Sequence, residues 1–440
     1  MVKNNTTAVK TVRNQDLGES YTEILHKSGV RAYIIPKDFS TTYVAAGVLC
    51  GGLDNSFYEN EKLVRLPYGM AHFVEHKLFA NPDGEDTFEK MAESGAYCNA
   101  YTSFDKTVYL FSISGDISSP LKILLEGFTT PYFTDENVEN EASIISEEIK
   151  MYSDDPYDAI FYAMMDVMYS NRNTAQSVCG SVESVNSITP EMLYKFYEAF
   201  YCPEKTVISI AGQADVDEVI KILDEVYRDI PNSDKAIRHN RPAESPEVTK
   251  DLVFLESNVP IPIFNLGIKI TPPSHGGAEE RIRHDLALNM LCEHYFSECD
   301  EFITSFFEKG EMCHLIKFSY DSAGDMSLIT LSGESQKAYE IANKIKEHVT
   351  LDIPRTPITD EELEILRRVV LSHHLVTFDA TGDISNEFLA YALEGFDLFR
   401  VTEIIDSIDT DYLNNIIKES FKKEKICIAV SAQNKEVLTI

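Results

Sequence analysis

The apolar positions of this chain change period several times, and the order of those changes occurs twice. "TTYVAAGVLC" (41–50) is rich in β-branched and aromatic residues, and "KTVYLFSISGD" (106–116) alternates apolar with polar positions, so both predict strands. Between them "FVEHKLF" has helical character in a glycine-flanked frame, and after them "SPLKILLEGF" (119–128) has helical spacing. Thr134 opens "TDENVENEASIISEEIKMY", where a capping hydroxyl and an acidic first turn predict a long helix.

The second half follows the same order. "IFNLGIKI" (263–270) stands for the first strand, "DLALNMLCEHYF" (285–296) for the histidine-bearing helix, and "SLITLSGES" (327–335) for the strand ending in Ser-Gly. His72 stands 43 residues before Gly115, and Met290 stands 43 before Gly333. "FTDEN" (133–137) matches "ITDEE" (358–362), with seven extra residues ahead of it in the second copy. The pattern predicts two αβ repeats of about 220 residues each. We place the first domain at 1–230 and the second at 252–440. The join is "PNSDKAIRHNRPAESPEVTKD" (231–251), which is polar, carries three prolines and lacks either period.

Composition narrows the class. A length of 440 residues exceeds one ordinary core, and no apolar run approaches the roughly 18 residues of a membrane span. The polar N-terminal stretch does not read as a secretory signal, and the eight cysteines form no CxxC pair, so a cytoplasmic protein with reduced thiols is expected. A formal charge of −33 argues against nucleic acid or an anionic membrane as partner.

"GMAHFVEHKLFA" (69–80) places three groups that are costly to bury inside an apolar run. On a helix His72 and His76 share a face one turn apart, with Glu75 beside them. Imidazole nitrogens suit Zn²⁺, whose bound water becomes acidic, and a neighbouring carboxylate can take the proton and return it to a leaving amine. Two histidines and a glutamate at this spacing could equally form a hydrogen-bonded core cluster. A third ligand would favour the metal. At 100° per residue Glu148 lies about 20° from Glu141 and in phase with Ile144, Ile145 and Tyr152, while Glu147 points away. Two carboxylates on an apolar face are expensive unless paired or metal-bound, so Glu148 is the candidate third ligand and Glu141 a supporting acid. In the second copy the positions of His72, Glu75, His76, Glu141 and Glu148 hold Met290, Glu293, His294, Leu366 and His373. Met cannot replace His toward such an ion, which assigns any single metal site to the first half.

Taken with "ESGAYCNAYTSFDKTVYLFS" (93–112), "EEIKMYSDDP" (147–156) and "GSVESVNSITPEMLYKFYEAFYCPEKTVISIAGQAD" (180–215), these residues make the chain resemble the inverted-motif zinc peptidases. This is the pitrilysin, insulinase and mitochondrial-processing-peptidase group, and the length is similar to its short two-domain bacterial branch. The resemblance implies an α+β fold: two homologous domains, each a mixed, mostly antiparallel sheet flanked by helices, set as a clam-shell around a chamber. It implies Zn²⁺ as cofactor, His72, His76 and Glu148 as ligands, Glu75 as general base and Glu141 as a supporting acid. Asn99 and Ala100 then fall on the strand edge that pairs with an extended peptide substrate, although Asn99 also suits a turn or a strand end.

One departure concerns the second domain, where many members of the group carry an Arg and a Tyr that hold the substrate carbonyl. The corresponding stretch, "SECDEFITSFFEKGEMCHLIKFSY" (297–320), has no Arg. Tyr320 or His314 substitutes, or a partner chain supplies the group, as in a homodimer or a heterodimer with a motif-less relative. The expected function is a zinc-dependent endopeptidase acting on peptides or unfolded segments. The alternative is a catalytically weak peptide-binding or assembly subunit.

Overall fold

A computed structural model describes residues 6–80, 84, 87–231 and 235–439. The chain divides into two compact units. The first comprises residues 1–149, 177–240 and 374–400, and the second 150–176, 241–373 and 401–440.

The first unit is built on a seven-stranded sheet in the order Ala8–Asn14, Glu19–Leu25, Arg31–Pro36, Val207–Gly212, Thr42–Val48, Thr107–Ile113, Tyr97–Thr102. Only the pairing of Arg31–Pro36 with Val207–Gly212 is parallel. Thr42–Val48 is apolar at almost every position because both of its faces are covered. Val44, Ala46 and Val48 join one core with Phe73, Leu121 and Leu125. On the opposite face Gly47 lies against Leu389 of helix Thr381–Leu393, which packs on this strand and on Val207–Gly212.

The second unit has five strands in the order Leu252–Glu256, Ile426–Ala432, Ile263–Lys269, Met326–Glu334, Lys317–Ala323. Again the first pair is parallel and the rest antiparallel. The order repeats the last five strands of the first sheet, so the α+β fold of two homologous units is the one observed. Helix Pro156–Met168 packs on Ile263–Lys269 and Ile426–Ala432, and Gly267 leaves room for the sulfurs of Met164 and Met168.

The units therefore differ from a linear division of the chain. Helix 156–168 comes from the first repeat but covers the second sheet, and helix 381–393 does the reverse. The crossing in the expected 231–251 join falls after residue 240. That segment is not wholly irregular, because Ile237–His239 pairs with Ser56–Glu59; residues 232–234 lie outside the described residues. Among the described residues no helix is long and apolar enough to cross a membrane.

Helix Asp135–Asp154 corrects one expectation about its buried face. Thr134 caps it, its Oγ1 accepting from the Asn137 amide at 3.2 Å. Ile145 is buried, but Ile144 is 57% and Tyr152 40% exposed. The buried stripe is Val138, Ala142, Ile145 and Ile149, and the line from Glu141 to Glu148 borders it rather than lying within it.

Candidate metal centre

Helix Met70–Lys77 carries the histidines. It starts at Gly69, whose φ of 87° and lack of a Cβ are both required, since a Cβ there would stand 2.5 Å from the Cys179 carbonyl oxygen. The i, i+4 spacing brings the His72 and His76 rings to a centroid distance of 4.6 Å, nearly edge to face. From the neighbouring helix Glu148 reaches both: Oε1 lies 3.8 Å from His72 Nε2, and Oε2 lies 3.6 Å from His76 Nε2.

These separations are too long for good hydrogen bonds. They resemble the about 3.3–3.6 Å expected between N and O donors arranged tetrahedrally around one Zn²⁺. The residues present thus fit a small divalent cation.

A further ring of contacts holds the donors in place. Glu141 Oε1 lies 3.1 Å from His76 Nδ1, which leaves Nε2 facing Glu148, and Glu141 Oε2 accepts from Lys77 Nζ at 3.2 Å. Thr102 Oγ1 donates to Glu75 Oε2 at 2.6 Å. His72 Nδ1, by contrast, is buried with no hydrogen-bond partner among the described residues.

The electrostatics point the same way. Burial, reinforced by the nearby His76, lowers the His72 pKa to about 3, so its imidazole is neutral and able to bind a cation. Burial also disfavours charge on His76, but the hydrogen bond to Glu141 and the charges of Glu75, Glu141 and Glu148 outweigh it and raise its pKa. Three carboxylates therefore ask for positive charge at this spot. Glu141 loses to burial but gains more from His76 and Lys77, and ends below the usual carboxylate range. Burial pushes the Glu75 carboxyl up, against the opposing pull of Thr102 and His76.

Asn99 and Ala100 lie on Tyr97–Thr102, the last strand in the sheet order. Asn99 is exposed, and its Oδ1 accepts from the Ala100 amide at 2.9 Å. A cavity of about 660 Å³ lies beside this strand, lined by Glu75, His76, Glu141, Asn99 and Ala100 together with apolar Phe79, Phe88 and Ile144. Tyr320 belongs to the second unit, where its hydroxyl donates to Asp285 Oδ1 at 2.5 Å and lies 3.0 Å from Ser327 Oγ. Sequence reasoning missed Thr102 and Cys179. Thr102 could have been found in "NAYTS", since alternation from Ala100 sets it on the same strand face. Cys179 gave no such signal, because it lies 107 residues from His72 in the chain yet places its sulfur 3.9 Å from His72 Nε2.

Two family models match the sequence: the insulinase model of peptidase family M16 over residues 39–182, and the M16 inactive-domain model over 187–370. The chain belongs to peptidase family M16. Every residue of the cluster falls within the first match of this M16 chain, and Met290, Glu293, His294 and Leu366 fall within the second. An uncharacterized zinc protease of Bacillus subtilis, YmfH, is 29% identical over 96% of this chain and 98% of its own length. A second from the same organism, YmxG, is 23% identical over 92% and 97%. The crystal structure of an M16-like peptidase from Alicyclobacillus acidocaldarius superposes with a TM-score of 0.87 at 26% identity, covering 97% of this chain and 98% of that one.

Proposed function

We propose that this M16 chain is a zinc-dependent endopeptidase that hydrolyses peptides or unfolded segments. The observation that carries the reading is the convergence of His72 Nε2, His76 Nε2 and both Glu148 oxygens beside the buried Glu75 carboxyl. His72, His76 and Glu148 would hold the ion. When bound, Zn²⁺ supplies Lewis acidity that brings a water pKa toward 7.

Glu75 is the general base. Thr102 occupies its Oε2, which leaves Oε1 to accept the water proton and deliver it to the leaving nitrogen. Burial raises the affinity of Glu75 for that proton and so improves the match to neutral pH. Glu141 keeps the His76 ring in the orientation that presents Nε2. An extended peptide adds to the free edge of Tyr97–Thr102, displacing the Asn99 side chain from the Ala100 amide. Main-chain pairing of this kind selects an extended chain rather than a sequence.

Eight cysteines, none in a disulfide, support a reducing compartment, the cytoplasm. The stretch 297–320 contains no Arg, which favours a second chain, another copy or a motif-less relative, as the source of a group for the substrate carbonyl. The same lack favours the second reading, a peptide-binding subunit with little turnover. Zinc content and cleavage of a quenched peptide separate the two. The enzyme reading expects about one zinc per chain and a rate that falls about 10²–10⁴-fold in Glu75→Gln. It fails if wild type binds zinc but cleaves no faster than the variant, alone or with a partner.

A further inference from the structure

The loop carrying Cys179 is locked against the start of the His72 helix. A Cβ on Gly180 would stand 2.6 Å from the Tyr68 carbonyl oxygen, just as one on Gly69 would meet that of Cys179, so two glycines admit the approach of backbone to backbone. Ser184 Oγ donates to the same Tyr68 oxygen at 3.0 Å, and the Gly180 amide donates to Ser177 at 2.9 Å. These contacts deliver a half-buried thiol to the metal-facing nitrogen of His72, 3.9 Å away. One donor atom each from His72, Glu148 and Cys179 lies within 4.8 Å of the others. His76 stands outside that group and joins it through Glu148, whose Oε2 lies 3.6 Å from His76 Nε2.

We propose that Cys179 is a fourth protein ligand of the ion held by His72, His76 and Glu148, closing in the resting enzyme the position that hydrolysis needs. The inference rests on the zinc reading of the site. Donors of N and S type around one tetrahedral Zn²⁺ stand about 3.6 Å apart, given bonds of about 2.0–2.1 and 2.3 Å, so the observed 3.9 Å between Cys179 and His72 suits one ion, while His76 has to swing inward for all four donors to meet on it. Catalytic zinc sites keep three protein ligands and an open place, whereas four protein ligands describe a closed, structural site. As the sulfur takes the ion, the thiol proton passes to solvent, and metal binding should therefore release protons. With Cys179 so placed, hydrolysis would require its sulfur to give up that position to a water. A thiolate in the set also favours Zn²⁺, Co²⁺ and Cd²⁺ over Mn²⁺ and Mg²⁺.

Cobalt substitution of the full chain tests this apart from activity. Wild type should bind about one Co²⁺ and show a sulfur-to-cobalt charge-transfer band in the near ultraviolet. Cys179→Ala should keep the visible d–d bands, lose the charge-transfer band, and cleave a quenched peptide several-fold faster than wild type. His72→Ala should lose both sets of bands, which excludes the other seven cysteines as the source. One bound cobalt without the charge-transfer band, or a band that survives Cys179→Ala, overturns the inference and leaves the zinc reading intact. Failure of wild type to bind cobalt removes both.

Discussion

The helix that carries His72 and its counterpart in the second unit show what one fold does with and without a cluster of potential metal ligands. In the first unit the helix is eight residues long and converges two imidazoles and a carboxylate. In the second it runs from Gly277 to Phe296, and Met290 at the position of His72 is fully buried core. What remains of the motif there is turned to loose surface pairs: His294 lies 3.9 Å from Glu362, and His373 lies 3.9 Å from Glu293. Pairs of that length and exposure contribute little. The five strands of the second sheet keep the order of the last five of the first, so this architecture does not require the polar cluster.

The largest effect should come from making the same substitution in both repeats. Glu75→Gln should lower peptide cleavage about 10²–10⁴-fold with zinc content unchanged, whereas Glu293→Gln should leave both unchanged. Equal losses in the two variants would end the distinction between an active and an emptied repeat.

The exchanged helices set the next effect. Phe388, 2% exposed on helix 381–393, packs against Tyr21 and Tyr33 with ring centroids 4.9 and 5.0 Å apart. Phe388→Ala should destabilise the first unit by about 3–5 kcal/mol, read as a shift in the urea midpoint. A chain cut within 231–251 lacks that helix entirely and should leave one face of Thr42–Val48 uncovered. If such a fragment folds as stably as the whole, the contact-defined units are not the folding units.

How much of this was legible beforehand follows from how local each feature is. The strands, the Thr134 cap and the i, i+4 pairing of His72 with His76 depend on neighbours in sequence, and the pattern showed them. Helical phase points to Glu148, but Ile144 and Tyr152, in phase with it, face outward rather than into the core, because periodicity gives a direction but not what lies in that direction. The helix exchange and the approach of Cys179 to His72 were invisible. Both join segments far apart in the chain, and the second depends on two glycines whose purpose shows only once the loop has docked.

A smaller effect separates the support of the cluster from its donors. Glu141 holds His76 in the first unit, while Leu366 occupies the matching place in the second and is buried. Glu141→Ala should weaken zinc binding about 10–100-fold by competition with a chelator, without abolishing it. A loss as complete as that of His72→Ala would make Glu141 a direct ligand.

The smallest effect concerns the two buried imidazoles. His72 and His284 are alike in being almost wholly buried with Nδ1 unpartnered among the described residues, and burial lowers the pKa of both, to about 3 and about 4. His72 faces Glu148, 3.8 Å from its Nε2. His284, on the matching helix, is faced by Glu280, which favours its protonation, and Lys425, which opposes it. Its folded pKa of about 4 lies below the ordinary 6.5, so the unfolded chain takes up the proton first as pH falls. The stability due to neutral His284 is complete above pH 6.5 and is lost progressively toward pH 4. Between about pH 7.5 and about pH 5 this should cost about 1–2 kcal/mol. Urea midpoints at the two pH values, compared for wild type and His284→Gln, isolate the group: the variant should lose less stability than wild type. Equal losses would show that the buried imidazole of the second unit is protonated as readily folded as unfolded, and the likeness to His72 would then be only geometric.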